Sequence, residues 1–125
     1  MNVPGELRYS NDHEWARLED GKIRLGITDY AQDALGDIVF VQLPDVGRRV
    51  EAGETISEVE STKSVGEIYA PVGGTVAAVN DDLSDAPDQI NAEPYANGWM
   101  IDLQAPDGIP ADLMDAAAYR EFTAD

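Results

Sequence analysis

Apolar residues recur along this chain mainly at every second position, which is the spacing of a half-buried β-strand. The clearest alternation covers residues 22–27, where isoleucine and leucine occupy every other position. Asp20-Gly21 precedes this run, and Asp-Gly between two strands is a strong signal for a two-residue hairpin turn. Residues 14–18 and 99–103 are further predicted strands. Short strands separated by glycine and proline turns predict a mainly β fold.

Two segments have the features of helices. Thr28 can cap a short helix near residues 28–35, and Gly36 suits the position after its last turn. Pro110 fits the first turn of a C-terminal helix near residues 110–122. We expect this second helix to pack an apolar stripe against the sheet, formed by Leu113, Met114, Ala117, Ala118 and Phe122.

Two other stretches lack a clear alternation. The segment from Ile38 to Leu43 is an apolar run, which predicts a strand covered on both faces. Residues 80–98 are polar and contain two prolines, so we expect loops there.

Lys63 is one of two lysines in the chain and lies between strand-like runs at residues 54–60 and 65–70. Its neighbours carry small side chains with hydroxyls that can bond the local backbone and favour a turn; they are Ser61, Thr62 and Ser64. The pattern therefore presents Lys63 at the tip of a β-hairpin, where another enzyme can reach it and attach a group. Lys22, beside the Asp-Gly turn, has no such context, and we expect it to be a solvated strand residue.

Composition limits the function classes. The chain has 125 residues, 43% of them hydrophobic, which predicts one domain over residues 1–125. It has no cysteine, so disulfide chemistry would need sulfur from a cofactor. The net charge of −17 argues against nucleic acids and anionic membranes as partners and favours basic surfaces on partner enzymes. This charge is equally compatible with adaptation to high salt and with an ordinary acidic carrier.

The sequence shows neither an apolar run of about 18 residues nor a leader of the secretory or transit type. We therefore expect a cytoplasmic protein. The single histidine among scattered carboxylates gives no pattern of metal ligands.

The Lys63 hairpin resembles the attachment hairpin of proteins that carry lipoate or biotin on a lysine. Further motifs agree in order and spacing with the glycine cleavage system H proteins, and the resemblance extends from about Leu7 to Phe122. These motifs are His13-Glu14-Trp15, the segments 26–32 and 35–39, Pro94-Tyr95 and Gly98-Trp99-Met100.

The resemblance implies a fold, a cofactor and an attachment motif. The expected fold is a barrel-sandwich hybrid of the lipoyl-domain type, with the two helices added. The expected cofactor is lipoate bound covalently to Lys63, since biotin acceptors typically have methionine on both sides of the lysine. The expected attachment motif consists of Glu60, Ser61, Thr62, Ser64 and Gly74, around Lys63.

The resemblance also implies a carrier that is not itself an enzyme. Its arm would take the aminomethyl group of glycine from a pyridoxal-phosphate glycine decarboxylase to a tetrahydrofolate-dependent aminomethyltransferase. Dihydrolipoyl dehydrogenase would then reoxidise the arm. Lipoate attachment enzymes are expected partners as well, and we expect the protein to be a monomer.

Two carboxylates are candidates for a pocket that holds the cationic end of the loaded arm. On a strand, Glu14 shares a face with Ala16 and Leu18, so its side chain is expected to point inward, where a carboxylate needs a partner. Glu67 is the weaker candidate, because Gly66 replaces the serine that many relatives have before it. The alternatives are a locally bonded glutamate at position 14 and a solvated one at position 67.

Three other functions remain open at this point. The chain could be a lipoyl or biotinyl domain of another multienzyme complex, although such modules lack the N-terminal strand and the C-terminal helix. It could be an H-like protein that donates lipoate to other enzymes. It could also be an interaction module in which Lys63 stays unmodified.

Overall fold

Nine strands form two antiparallel sheets in the computed structural model, which describes residues 1–124. In chain order the strands are β1 Arg8–Tyr9, β2 Glu14–Glu19, β3 Lys22–Ile27, β4 Ile38–Gln42, β5 Arg49–Val50, β6 Thr55–Ser61, β7 Val65–Tyr69, β8 Gly74–Val79 and β9 Ile101–Gln104. One sheet has the order β1-β2-β3-β9-β8-β5, and the other has the order β4-β6-β7. The mainly β prediction is confirmed, and these two sheets do not close into a barrel. Asp125, the last residue of the predicted domain, lies outside the described residues.

The larger part of the hydrophobic core lies on the inner faces of these sheets. Alternate residues of β3 and β9 contribute to it, as do Val41 and Val59 of the smaller sheet. A second buried cluster is formed by Val3, Leu7, Tyr9, Trp15, Ala116 and Tyr119. It fixes the two ends of the chain to the outer strands of the larger sheet.

The predicted short helix is present as α1, Asp29–Leu35. Thr28 caps it, because its Oγ1 accepts a hydrogen bond from the Ala31 N–H at 3.2 Å. Gly36 follows with φ 84° and donates its N–H to the Gln32 carbonyl. The stretch expected to be loops contains two single-turn helices, α2 Asp82–Asp85 and α3 Gln89–Ala92.

The C-terminal helix, α4, spans Ala116–Thr123, so the predicted start near residue 110 was wrong. Asp115 caps α4 by accepting the Ala118 N–H at 2.8 Å. Just before this cap, Met114 exchanges two backbone hydrogen bonds with Tyr9 of β1. A residue paired with a strand cannot also lie inside a helix, so Pro110 does not begin one.

The predicted apolar stripe of this helix was also wrong. Ala116 and Tyr119 are its buried residues, whereas Ala117 and Ala118 are exposed and Phe122 is half exposed. The shorter helix turns a different face toward the sheet. No helix formed by residues 1–124 combines the length and the apolar character needed to cross a bilayer.

Strand β4 is covered on one face only, contrary to the prediction for residues 38–43. Ile38 and Val41 are buried, but Val39 and Phe40 are 53% and 52% exposed. The pairing of β4 with β6 is irregular between Ile38 and Phe40, which is the mark of a β-bulge. The small sheet packs one face against the core, and the bulge leaves both Val39 and Phe40 on the opposite, exposed side.

Candidate attachment lysine and carboxylate pocket

Strands β6 and β7 form the hairpin that the sequence predicts around Lys63. The last paired residues are Glu60 and Val65, and residues 61–64 make the turn. The Ser61 N–H donates to the Ser64 carbonyl at 2.8 Å, which closes the turn. The Ser61 Oγ accepts the N–H groups of Lys63 and Ser64 at 3.3 and 3.0 Å. A single serine hydroxyl therefore organises the backbone on both sides of the lysine.

Lys63 is exposed at the tip, and its stem lies against the end of α1. A Cβ atom placed on Gly36 would lie 3.2 Å from the Lys63 Cε. The Thr62 N–H donates to the Asp37 carbonyl at 3.1 Å, which ties the tip to the segment after α1. The position of the tip is thus fixed, while the primary amine remains accessible for amide formation. Lys22, by contrast, is half-buried and pairs with Glu19 beside the β2–β3 turn.

The structure brings together four of the five residues predicted for the attachment motif. Glu60 is exposed at the end of β6, and the three hydroxyl residues form the turn itself. Gly74 instead begins β8 in the larger sheet. A Cβ there would lie 2.5 Å from the Gln104 carbonyl oxygen, so close packing of β8 on β9 requires glycine. Recognition of these residues by an attachment enzyme stays a prediction.

Glu14 is buried, with 2% of its surface exposed. Its Oε1 accepts a hydrogen bond from the Ser10 Oγ at 3.0 Å, and its Oε2 accepts the Tyr69 N–H at 2.9 Å. Burial raises the pKa of Glu14 to about 7, and the charge of Asp12 acts in the same direction against the two hydrogen bonds. A cation entering beside this carboxylate would favour its ionised form, because opposite charges lower the pKa of an acid.

Glu67 is exposed on β7 and lies in the same hydrogen-bonded group. The Tyr69 hydroxyl donates to the Glu67 Oε2 at 2.9 Å. This hydrogen bond and the charge of Glu67 raise the pKa of Tyr69, and the charges of Asp12 and Glu14 contribute further. Of these carboxylates, Glu67 binds the phenol of Tyr69 directly, whereas Glu14 binds its backbone N–H.

Tyr69 connects the two predicted carboxylates and was missed by the sequence reasoning. Its backbone N–H binds Glu14, while its side chain binds Glu67. Residues two apart on a strand share a face, so the spacing of Glu67 and Tyr69 was the available signal. The link to Glu14 could not be found in the same way, because it joins residues of different sheets.

Gly66, the departure from the usual serine, lies where β7 approaches α1. A Cβ on Gly66 would lie 3.2 Å from the Leu35 Cδ2 and 3.4 Å from the Val59 Cγ2. A side chain at this position would press on Leu35. The glycine thus allows the hairpin to lie close to the helix that supports the Lys63 stem.

His13 and Trp15, the two sequence neighbours of Glu14, bind other parts of the fold through their side chains. His13 has φ 66°, and its Nδ1 lies 2.8 Å from the hydroxyl of Tyr119 on α4. Burial lowers the pKa of His13, so its neutral form is favoured in this contact. Trp15 is fully buried and donates its Nε1–H to the Pro94 carbonyl at 2.9 Å. Within residues 1–124, no group of three or more His, Cys, Asp or Glu side chains is arranged to hold a metal ion.

Comparison with known proteins identifies the family. The model of the family described as "Glycine cleavage H-protein" matches residues 7–125. The glycine cleavage system H protein of Anaeromyxobacter sp. (strain K) is 54% identical over 125 residues, which cover 98% of this chain and 96% of that protein. The H protein of Mycobacterium avium (strain 104) is 52% identical, with 95% of each chain covered. The chain belongs to the glycine cleavage H-protein family.

A solved H-protein structure agrees with this assignment. The crystal structure of the glycine cleavage system H protein from Mycobacterium marinum superposes with a TM-score of 0.87 at 42% identity, covering 95% of this chain and 97% of that one. The match supports the predicted lipoyl-domain-like sandwich with a C-terminal helix. H proteins are the lipoyl carriers of the glycine cleavage system, so this chain is a carrier component and not a catalyst. The alternative of a lipoyl domain from another complex is thereby removed.

Proposed function

We propose that Lys63 carries lipoate as an amide and that the resulting arm transports the aminomethyl group of glycine. The observation that supports this proposal is the exposed amine of Lys63 at the tip of an ordered hairpin, in a member of a lipoyl-carrier family. The absence of cysteine from the sequence suits this role, because no thiol of the chain could exchange with the disulfide of the arm. When bound, lipoate supplies a disulfide that accepts the aminomethyl group on one sulfur and is reduced by doing so.

In this proposal the chain supplies attachment and protection. The Ser61 hydroxyl holds the turn so that the Lys63 amine points to solvent, and Glu60 marks the hairpin for the attachment enzyme. Glu14 receives the ammonium end of the loaded arm, because a buried carboxylate forms a strong charge-assisted hydrogen bond with a cation. Glu67, held by Tyr69, adds a second negative charge at the mouth of the pocket. The burial of Glu14 supports exclusion of water from the cargo.

The proposal also names the partner enzymes and the cellular compartment in which the chain meets them. The arm would visit glycine decarboxylase, aminomethyltransferase and dihydrolipoyl dehydrogenase, after a lipoate attachment enzyme has modified the apo chain. The net charge of −17 supports electrostatic attraction to basic surfaces around their active sites. We place these encounters in the cytoplasm, as suits a carrier whose relatives are bacterial. A monomer presents its tip to each enzyme in turn.

Loading with glycine tests the proposal directly. The lipoylated chain is incubated with glycine decarboxylase and glycine, and its intact mass is followed. We expect one aminomethyl group per chain on wild type and Lys22→Arg, and none on Lys63→Arg. A wild-type chain that is lipoylated yet stays unloaded, while it still donates its acyl group to other enzymes, would favour the lipoate-donor function. Loading of Lys63→Arg would place the arm elsewhere.

A further inference from the structure

A row of exposed side chains crosses the small sheet immediately before the Lys63 turn. Phe40 of β4 pairs with Glu60 of β6, which in turn pairs with Val65 of β7. Residues directly opposite each other in antiparallel strands point to the same face, so these three form one row. Phe40 is 52% exposed and Val65 is 58% exposed. We call the two apolar members, Phe40 and Val65, the apolar row; Glu60 lies between them.

Acidic residues border the apolar row. The next pairs along the same face place Gln42 beside Glu58, and Glu58 beside Glu67. Among residues 1–124, Glu58, Glu60 and Glu67 form no ion pair. The surface beside Lys63 therefore presents two apolar side chains among three carboxylates that lack a cationic partner. Such a face fits an apolar pocket with basic groups at its rim.

We propose that the apolar row is the docking surface for the enzyme that attaches lipoate to Lys63. The length of the Lys63 side chain indicates why the attachment enzyme is the partner that binds here. Before attachment, the reacting atom is the Lys63 Nζ at the end of a flexible four-carbon stem, so the attachment enzyme must contact the residues next to the turn. Enzymes that use the finished arm act on its far end, beyond the stem of Lys63, so the proposal assigns this row to the attachment step. The inference rests on the proposed lipoylation of Lys63.

The attachment step sets the geometry that docking must satisfy. The neutral Nζ attacks the acyl carbonyl of lipoyl-AMP, and the amide forms as the bond between that carbonyl and the phosphate oxygen breaks. AMP leaves, and the nitrogen loses one proton. Contacts of the row with the enzyme would hold the hairpin while Lys63 extends into the active site.

The test compares the double variant Phe40→Thr/Val65→Thr with Leu18→Thr. Threonine keeps the strand propensity of these positions, and Leu18 is an equally exposed apolar residue, 59%, on β2 of the other sheet. The affinity of each apo chain is measured for a lipoate–protein ligase that holds a non-hydrolysable lipoyl-AMP analogue. The initial rate of lipoylation is followed by intact mass. We expect the double variant to lose about tenfold or more in both, because burial of such side chains dominates docking energies.

Further measurements separate the possible failures. Leu18→Thr should stay within about twofold of wild type, and thermal melting should show that both variants are folded. Once fully lipoylated, the double variant should load with glycine at the wild-type rate. Unchanged docking and lipoylation of the double variant, or an equal loss in Leu18→Thr, would overturn the inference. An equal loss in glycine loading would also overturn it, because the row would then serve partners in general. If wild-type Lys63 accepts no lipoate, the proposed function fails instead.

Discussion

The two ends of strand β7 have opposite surroundings. Before its first residue, Lys63 is exposed, and the hydrogen bonds of the turn use the backbone and one serine. At its last residue, Tyr69 donates its N–H to Glu14, whose carboxylate is almost fully buried. An attachment point needs access for another enzyme, whereas a binding point for a cation needs shelter from water. One strand of five residues supplies both environments.

The two environments also differ in energetic cost. An exposed lysine costs the fold little, because water solvates its charge. A buried carboxylate loses most of its hydration, which is why the pKa of Glu14 rises to about 7. The fold thus keeps at position 14 a buried ionisable group whose charged form is disfavoured. In our account, the loaded arm provides the charge that offsets this loss.

Glu14→Gln tests the cost of the buried group and has the largest expected effect. Since the pKa of Glu14 rises from 4.5 to about 7 on folding, the folded state holds this proton more tightly than the unfolded chain. Wild type therefore loses stability from this group as the pH increases from about 4.5 to about 7. The free energy of unfolding of Glu14→Gln minus that of wild type should grow by about 3 kcal/mol over the same window.

Denaturant titrations at about pH 4.5, 6 and 8 measure this difference. The matched control is Glu67→Gln, which changes an exposed carboxyl of the same kind. Subtracting the pH dependence of this control from that of Glu14→Gln leaves the part that is specific to position 14. A flat difference for Glu14→Gln would contradict the raised pKa.

The same substitution tests protection of the cargo. Loss of the negative charge beside the ammonium should speed hydrolysis of the loaded arm by about tenfold. Hydrolysis yields formaldehyde, ammonium and the free thiol, so formaldehyde release gives the rate. An unchanged rate in Glu14→Gln would exclude the role of Glu14 in the pocket and leave Lys63 as the attachment site.

Gly36→Ala probes the support beneath the lysine. Gly36 has φ 84° and ψ −161°, a backbone region adopted almost only by glycine, so an alanine there costs about 1–3 kcal/mol. Its new methyl group would also meet the Lys63 stem. Gly21→Ala is the matched control, because Gly21 has φ 76° with no atom within 4 Å of its ideal Cβ. Both variants should lose stability in thermal melts, and only Gly36→Ala should also change the rate of lipoylation. Equal lipoylation rates would show that the stem needs no support.

Tyr69→Phe has the smallest expected effect. The variant keeps the backbone N–H that binds Glu14 and removes the hydroxyl that holds Glu67. Release of the cargo should increase about threefold, with no further increase when Glu67→Gln is already present. Tyr30→Phe, which removes a hydroxyl from a partly exposed tyrosine of α1, is the control. Additive effects of Tyr69→Phe and Glu67→Gln would show that the hydroxyl acts independently of Glu67.

Local signals predicted much of the fold. The Asp20-Gly21 hairpin, the Thr28 cap and the Lys63 turn depend on residues adjacent in sequence, and the structure contains all three. The start of α4 was not predictable in this way. Asp115 outcompetes Pro110 as the starting point because Met114 pairs with Tyr9, a residue far away in sequence.

In the candidate site, too, the features that depend on neighbouring residues were predictable and the long-range contacts were not. Glu14 is buried as expected, but alternation along β2 is not the reason, because Leu18 on the expected inner face is 59% exposed and Trp15 is fully buried. The partners of Glu14 come from Ser10 and from Tyr69 in the other sheet. The exposed side of β4 was missed because apolar content predicts burial, whereas a docking surface can be apolar and exposed. The exposure of Phe40 and Val65 depends on sheet order and on a bulge, which hydrophobic patterning does not reveal.

The central claim is that Lys63 bears the arm. Intact mass of the chain purified from its native cells, followed by peptide mapping of residues 58–74, tests it most directly. The account predicts one lipoyl amide per chain, on Lys63, with Lys22 unmodified. An unmodified Lys63 in cells that lipoylate other proteins would contradict it.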